Sequence, residues 1–446
     1  MTYDVAIAGG GTAGCALAAR LSEDPARTVC LVEAGPDYGP FAAGRWPADL
    51  LDARALAFSH SWETDRDDRS QLRARVIGGC SAHNACILLP PPPEDYDAWG
   101  PGWSHAEVAP YLDRAEAVFG PRTFPEDELS PWHRAFSEAA GGEAIVHTAN
   151  VRGTTRWNAG FAYLDEARAR ENLKIHADAL VDRVLVEGGR AVSLATDGGE
   201  IRANTVVLAA GAYGSPAILL RSDVDPALPV GVGLQDHVGV GLGFESTAVL
   251  QTEAARFAAE HPLFMAQVTV RARSSRCEPG LWDVFHVAAL EEGVDGRFEA
   301  SAATFVMRPR SRGSVRLTSQ DPRVPPIVDH GLLADPVDAG VLAEGIAHLR
   351  GLADTQEVGR LGGREARPGR DVSPAEHART AARGFFHPTS TCAIGSVVDA
   401  DCRVLGVEGL YVADASVMPE VPRVNTNLAT AAVAERVAEQ LAGAGG

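Results

Sequence analysis

The sequence predicts an α/β fold: a Rossmann-like, doubly wound sheet domain into which a second unit, built on an antiparallel sheet, is inserted. Three observations predict it. The chain opens on a β-run, a glycine turn and a helix, and a buried strand with its own glycine turn returns near residue 206. Between about 240 and 380 the pattern changes to alternating β-runs, and then a buried strand and an alanine-rich helix close the chain. The length of 446 residues suits two to three domain equivalents, and 46% hydrophobic with 22% charged residues excludes disordered or collagen-like architectures.

The first element is "YDVAIAGG", which enters Gly9-Gly10-Gly11-Thr12-Ala13-Gly14; "CALAARLSE" then has the Ala and Leu spacing of a helix. A second β-run, "TVCLVEAG", carries Glu33 nineteen positions beyond Gly14. Each part has a physical reason. Gly9 permits a tight turn, Gly11 lets a pyrophosphate approach the backbone, and Gly14 lets helix and strand pack closely. The helix N-terminus faces phosphates and Glu33 can accept hydrogen bonds from a ribose, so the unit reads as a dinucleotide site.

Residues 40–75 are loop-rich and polar, either a solvated connection or a lid over a cofactor. In "RVIGGCSAHNAC" a glycine pair brings Cys80, Ser81, His83 and Asn84 together as a second cradle. Four prolines at 90–93 form a stiff spacer beside "DYDAW". Residues 104–140 have a helical pattern, with Ser104 as N-cap and Glu107 three positions on. Between 172 and 211 the pattern is β: "LKIHADALVDRV" reads as a strand, and the glycine pairs at 188 and 198 mark hairpin turns. "AQVTVRAR", "LWDVFHVAAL", "SAATFVMRPRSRGSVRLTS" and "PPIVDH" are expected to be strands of one antiparallel sheet, followed by a helix at "VDAGVLAEGIAHLRGLADT". "GLYVADASVMP" is a buried strand, and "NTNLATAAVAERVAEQLA" is a helix capped by Asn or Thr.

Composition narrows the function classes. A net charge of −19 disfavours nucleic acid and anionic lipid as partners. Lys174 is the single lysine and has no glycine-rich loop beside it, which argues against a lysine phosphate loop or an internal Schiff base. Seven scattered cysteines without C-x-x-C or Cys/His spacing suggest reduced thiols, a cytoplasmic location and no metal site. No apolar run reaches the ~18 residues of a membrane span. His60, His105, His133, His147 and His176 read as solvated, and Trp99 and Trp103 as core.

Taken in order, "DVAIAGGGTAGCALAARL" with Glu33, "GGCSAHN", "AAGAYGSPAILLRS", "LQDH", "SRGSVRLTS", "FHPTSTCAIG" and "GLYVADASVMPEVPRVNTN" resemble the glucose-methanol-choline (GMC) family of flavoprotein oxidoreductases from end to end. The resemblance implies FAD, bound by a domain of residues 1–90, 150–240 and 395–446, with a substrate-binding cap of 91–149 and 241–394. It implies that Gly9, Gly11, Thr12, Ala13 and Gly14 surround the pyrophosphate, that Glu33 meets the ribose, and that the Val181 backbone meets the adenine. Asp414, Ala415 and Ser416 would close around the pyrophosphate and ribityl chain with Asn427 nearby, and Gly79, Ser81 and Asn84 would lie near the isoalloxazine.

The family's catalytic pair falls on His387 and Asn425. Many members have a second histidine where this chain has Asn425, and His387 is the favoured base. "RVIGGCSAHNAC" is closest to the choline oxidase branch, in which the histidine matching His83 is covalently bound to the flavin; a packed or hydrogen-bonding histidine is the alternative. The implied reaction is oxidation of an alcohol, such as a sugar, polyol or amino alcohol, to a carbonyl by hydride transfer to flavin N5. Reoxidation would use O2 or another acceptor; a lyase of the hydroxynitrile type is the alternative function. Choline is the poorer substrate, because "PLFMAQVTVRARSS" has no acid where that branch places one. His237 reads as a structural hydrogen bond near the domain junction, and His286 as a strand residue more often packed than facing a pocket.

Overall fold

In the computed structural model, residues 2–62 and 71–443 are described. The first sheet has four parallel strands in the order Leu173–His176, Val29–Val32, Thr2–Ala8, Gly199–Leu208. Gly199–Leu208 serves two partners. Its first half pairs antiparallel with Arg190–Thr196, and its second half pairs parallel with Leu410–Val412, so the C-terminal strand closes the sheet begun at residue 2. "LKIHADALVDRV" is two strands: the chain breaks after His176, Asp178 adopts a left-handed φ of 52°, and Val181–Glu187 joins the hairpin beside Arg190–Thr196. A short polar side chain tolerates that conformation better than its neighbours would.

The core of this unit is made of small residues. The helix Thr12–Leu21 packs against Asn427–Gly443, which in turn packs on His105–Phe119. Ala16, Ala18, Ala431 and Ala434 on the first two of these helices are fully buried in one core, and their small size permits close packing. Arg20 and the buried Glu435 join the two helices at 2.8 Å. Tyr96, Trp99, Trp103, Leu112 and Phe119 belong to this same core. The aromatic residues of 96–119, a stretch expected in the substrate-binding cap, are thus buried in the core of the first unit, with His105–Phe119 packed on the helix Asn427–Gly443.

The helical pattern of 104–140 is two helices, His105–Phe119 and Pro131–Ala140, separated where Gly120 takes a φ of 54°. Ser104 and Glu107 form the capping box that their spacing predicts. His133 and His147 are fully buried, contrary to the solvated reading. The His133 ring is satisfied inside by Ser130 Oγ and the Ala288 carbonyl, and His147 Nε2 meets Thr269 Oγ1 at 2.7 Å while its Nδ1 is buried without a partner.

The inserted sheet runs Glu365–Arg367, Val238–Phe244, Phe298–Val306, Val284–Glu292, Val268–Ala272, Ala144–Val146, all antiparallel. Strand alternation decides which residues face the first unit. Phe285 packs with Ile87, Ala266, Met307 and Val424 on that side. His286 points the other way, with Nε2 2.9 Å from Nδ1 of His348 on the helix Pro336–Ala353. Gly313–Arg316 and Ile327–Asp329 are not part of this sheet; with Val232–Leu234 they form a separate three-stranded one. The diversion has a cause in Asp338, whose carboxylate accepts hydrogen bonds from the Arg310 and Ser311 amides and pins the chain to Pro336–Ala353. Among the described residues no helix is long and apolar enough to cross a membrane.

Candidate active site

One large cavity runs between the first unit and the inserted sheet. Gly9, Gly11, Thr12, Ala13, Glu33, Gly79, His83, Asn84, Val181, Asp414, Ala415, Asn425, Asn427 and His387 all line it. Three predicted residues do not. Gly14 lies behind the wall, where a Cβ would come within 1.8 Å of the Gly9 carbonyl oxygen. Ser81 is buried and its hydroxyl is used by the fold: it donates to the Gly78 carbonyl at 2.6 Å and accepts from the Ala159 amide at 2.9 Å. Ser416 is also fully buried, and its amide donates to Asp414 Oδ1.

The two glycine turns meet face to face. A Cβ on Gly79 would lie 2.6 Å from the Gly11 Cα, and one on Gly9, at φ 103°, would lie 2.5 Å from the Ala209 carbonyl oxygen. At the end of Val29–Val32, Glu33 accepts the amides of Gly10 at 2.7 Å and Gly35 at 2.8 Å. Burial raises its pKa, and those amides and Arg75 work against the rise. Across the cavity, Asp414 Oδ2 accepts from the Gly211 amide and the Ser215 hydroxyl; burial raises its pKa too.

Two wall atoms point to a ligand. Asn427 accepts the Thr12 hydroxyl at 2.7 Å through Oδ1, yet its buried Nδ2 has no protein partner. His83 Nε2 is also buried without one, and burial lowers that imidazole to about 4, so it is neutral at pH 7. An amide donor and an imidazole nitrogen left open beside a glycine cradle and a ribose-type carboxylate fit a dinucleotide such as FAD.

The other end of the cavity holds His387, 8% exposed. Its Nδ1 lies 2.9 Å from Nδ1 of His237, whose Nε2 lies 3.0 Å from the Pro422 carbonyl oxygen. The carbonyl can only accept, so His237 Nε2 carries the proton and its Nδ1 accepts from His387 Nδ1–H. His387 Nε2 is thereby left with its lone pair, 3.3 Å from Asn425 Nδ2. Burial lowers the His387 pKa well below 6.5, with His237 and Arg73 adding to the effect, so the imidazole is neutral. Asp236 Oδ1 accepts the His387 amide at 2.9 Å, and burial pushes this carboxyl up to about 7. Phe385 lies edge-on to the His387 ring and stacks on Phe305, their centroids 3.6 Å apart.

His237 is thus in direct contact with His387, a role that a structural hydrogen bond near a junction understates. Asp236 and Phe385 were not singled out in the sequence at all. The signal available for them was adjacency to histidine in "LQDH" and "FFH"; the contact itself spans 150 positions.

Known proteins match the chain over nearly its whole length. The N-terminal GMC oxidoreductase family model matches residues 3–239 and the C-terminal one residues 309–434. An oxygen-dependent choline dehydrogenase of Pseudomonas syringae pv. tomato is 31% identical over 99% of this chain and 94% of its own, and one from Burkholderia ambifaria is 29% identical at the same coverage. Among solved structures, pyridoxine 4-oxidase from Mesorbium loti superposes with a TM-score of 0.85 at 27% identity, covering 98% of this chain and 99% of that one. A fungal aryl-alcohol oxidase, at 22% identity and a TM-score of 0.77 over 99% and 98% of the two chains, shares the fold.

Proposed function

The chain belongs to the GMC oxidoreductase family and is an FAD-dependent enzyme of alcohol oxidation, and from that premise we propose that His387 is its base and that it takes an uncharged alcohol with an apolar body. The observation that carries the reading is the Nε2 lone pair of His387, which meets only the Asn425 amide at 3.3 Å where both residues line the cavity. An alcohol hydroxyl reaching that atom gives up its proton to Nε2, while Nδ1–H stays on His237 and keeps the ring oriented. Asn425 Nδ2–H is then available to the substrate oxygen, a neutral donor that steadies developing alkoxide charge without titrating. FAD, when bound, supplies the acceptor for the carbinol hydride.

Arg73 apart, the wall near this pair is apolar. Ala85, Ile87, Met265, Ala266, Val287 and Phe385 line it, and Ile87 and Ala266 pack with Val424, the neighbour of Asn425. Among the described lining residues only Glu33 and Asp414 are acidic, and both sit in the glycine-turn cradle. A quaternary ammonium needs a carboxylate or an aromatic cage, so we rank choline below neutral aromatic or aliphatic alcohols despite the names of the curated relatives. The names of those relatives and of the oxidase structures support O2 as the electron acceptor, and the reduced-thiol composition supports the cytoplasm as the site of action.

The test is spectroscopic. Anaerobic mixing with neutral alcohols is expected to bleach the flavin, and choline is expected to bleach it far more slowly; the reverse order overturns the substrate reading. His387→Ala is expected to slow bleaching ~100-fold or more, and an unchanged rate removes it as the base. Peroxide formed on turnover in air marks O2 as acceptor. Flavin that stays with acid-precipitated protein, and is released from His83→Ala, marks a covalent bond at His83.

A further inference from the structure

We propose that Asp95 and Arg423 form a positioning clamp that sets both ends of the His237–His387 relay. The inference rests on the reading of His387 as the base. The relay depends on one loop, residues 419–425, in two places: the Pro422 carbonyl accepts from His237 Nε2 at 3.0 Å, and Asn425 Nδ2 stands 3.3 Å from His387 Nε2. If the carbonyl moves, the His237 tautomer is no longer imposed; if Asn425 moves, the substrate oxygen loses a donor.

The loop holds itself only in part. Val421 to Val424 are buried and belong to no strand or helix; the Val424 amide donates to the Pro422 carbonyl at 2.8 Å, and the amides of Val421 and Arg423 need partners elsewhere. Side chains from distant segments provide them. Gln235 donates to the Pro419 carbonyl at 3.0 Å and accepts the Val421 amide at 3.2 Å. Asp95 takes the centre of the loop: Oδ2 accepts the Arg423 amide at 2.6 Å, and Oδ1 pairs with the Arg423 guanidinium, both side chains being 2–3% exposed. The same Oδ1 lies 3.3 Å from Arg308, which pairs with Glu420 at 2.5 Å, so the clamp reaches the start of the loop as well.

Asp95 sits on the short helix Pro93–Asp97, immediately after the four prolines. Its position therefore depends on a stiff spacer and on its neighbours Tyr96 and Trp99 in the first core. Burial raises the Asp95 pKa and Arg423 opposes the rise. Arg423 lies between the two atoms that touch the relay, so what anchors it anchors both.

The experiment compares two buried ion pairs in the FAD-loaded enzyme. Asp95→Asn breaks the clamp; Glu365→Gln breaks the equally buried Arg350–Glu365 pair, which does not line the cavity. Both are expected to lower the melting temperature. Only Asp95→Asn is expected to slow anaerobic flavin reduction per bound flavin by ~10-fold or more and to move the acidic inflection of that rate upward. The upward move follows if a loosened loop lets water reach His387, whose other charged or titratable neighbours are His237, Asp236 and Arg73. Should Asp95→Asn yield no folded protein, Arg423→Lys, which retains the charge but not the guanidinium fork, is expected to show a smaller slowing with the same direction of shift. A lowered melting temperature with an unchanged rate per flavin, or a slower rate with an unmoved inflection, overturns the clamp. A normal rate in His387→Ala overturns the base instead, so the two failures are distinguishable.

Discussion

A histidine acts as a base only while it is neutral and its lone pair faces the substrate. In His387 both conditions follow from contacts: burial removes the charge, and the chain Pro422 carbonyl, His237, His387 assigns the tautomer. The sign of the pH dependence follows. With the pKa depressed, the base is competent at neutral pH, and flavin reduction is expected to stay constant until pH falls through an inflection below 6.5. A rate that already falls between pH 8 and 7 contradicts it. His237→Leu removes the acceptor for His387 Nδ1–H and is expected to cost ~10-fold or more in the reduction rate, whereas His237→Gln, with a donor and an acceptor on one amide, recovers part of it. His387 and Asn425 were legible because their motifs are local strings. His237 was undervalued because its meaning lies in a contact with a residue 150 positions away.

At the scale of elements, the glycine turn after Thr2–Ala8 is the most demanding local structure. Gly14 has no room for a methyl group, because the obstacle is the backbone carbonyl of Gly9 and not a side chain that could swing aside. Gly14→Ala is expected to lower stability by about 1–3 kcal/mol and to weaken FAD retention, read as melting temperature and flavin-to-protein ratio; an unchanged ratio would show that the turn yields. The strand, turn and helix here were legible because hydrophobic period and glycine spacing are short-range signals. The three-stranded sheet of Val232–Leu234, Gly313–Arg316 and Ile327–Asp329 was not. Its strands look like any alternating run, and Asp338, which diverts them, acts from the far end of the connection.

For the whole molecule, the cavity is assembled from both ends of the chain: Thr12 is bonded to Asn427, 415 positions apart. A ligand that bridges those walls should stabilise the entire fold. For His83→Ala protein stripped of flavin, added FAD is expected to raise the melting temperature progressively, by an amount equivalent to ~2.7 kcal/mol at a hundred times Kd; a melting temperature insensitive to FAD contradicts a cofactor held between the two ends. The sequence by itself determined the α/β class, the family with its FAD, the glycine turns and the antiparallel strands, and it singled out His387 and Asn425, which line one cavity, since each is written in local pattern or motif. Only the tertiary structure decided that the aromatic residues of 96–119 join the core of the first unit, that the Ser81 hydroxyl is used by the fold, that His286 faces away from the cavity, and that His237 meets His387 while Asp95 meets Arg423. Those outcomes depend on which distant groups share a buried space, and burial is set by the packing of the whole chain.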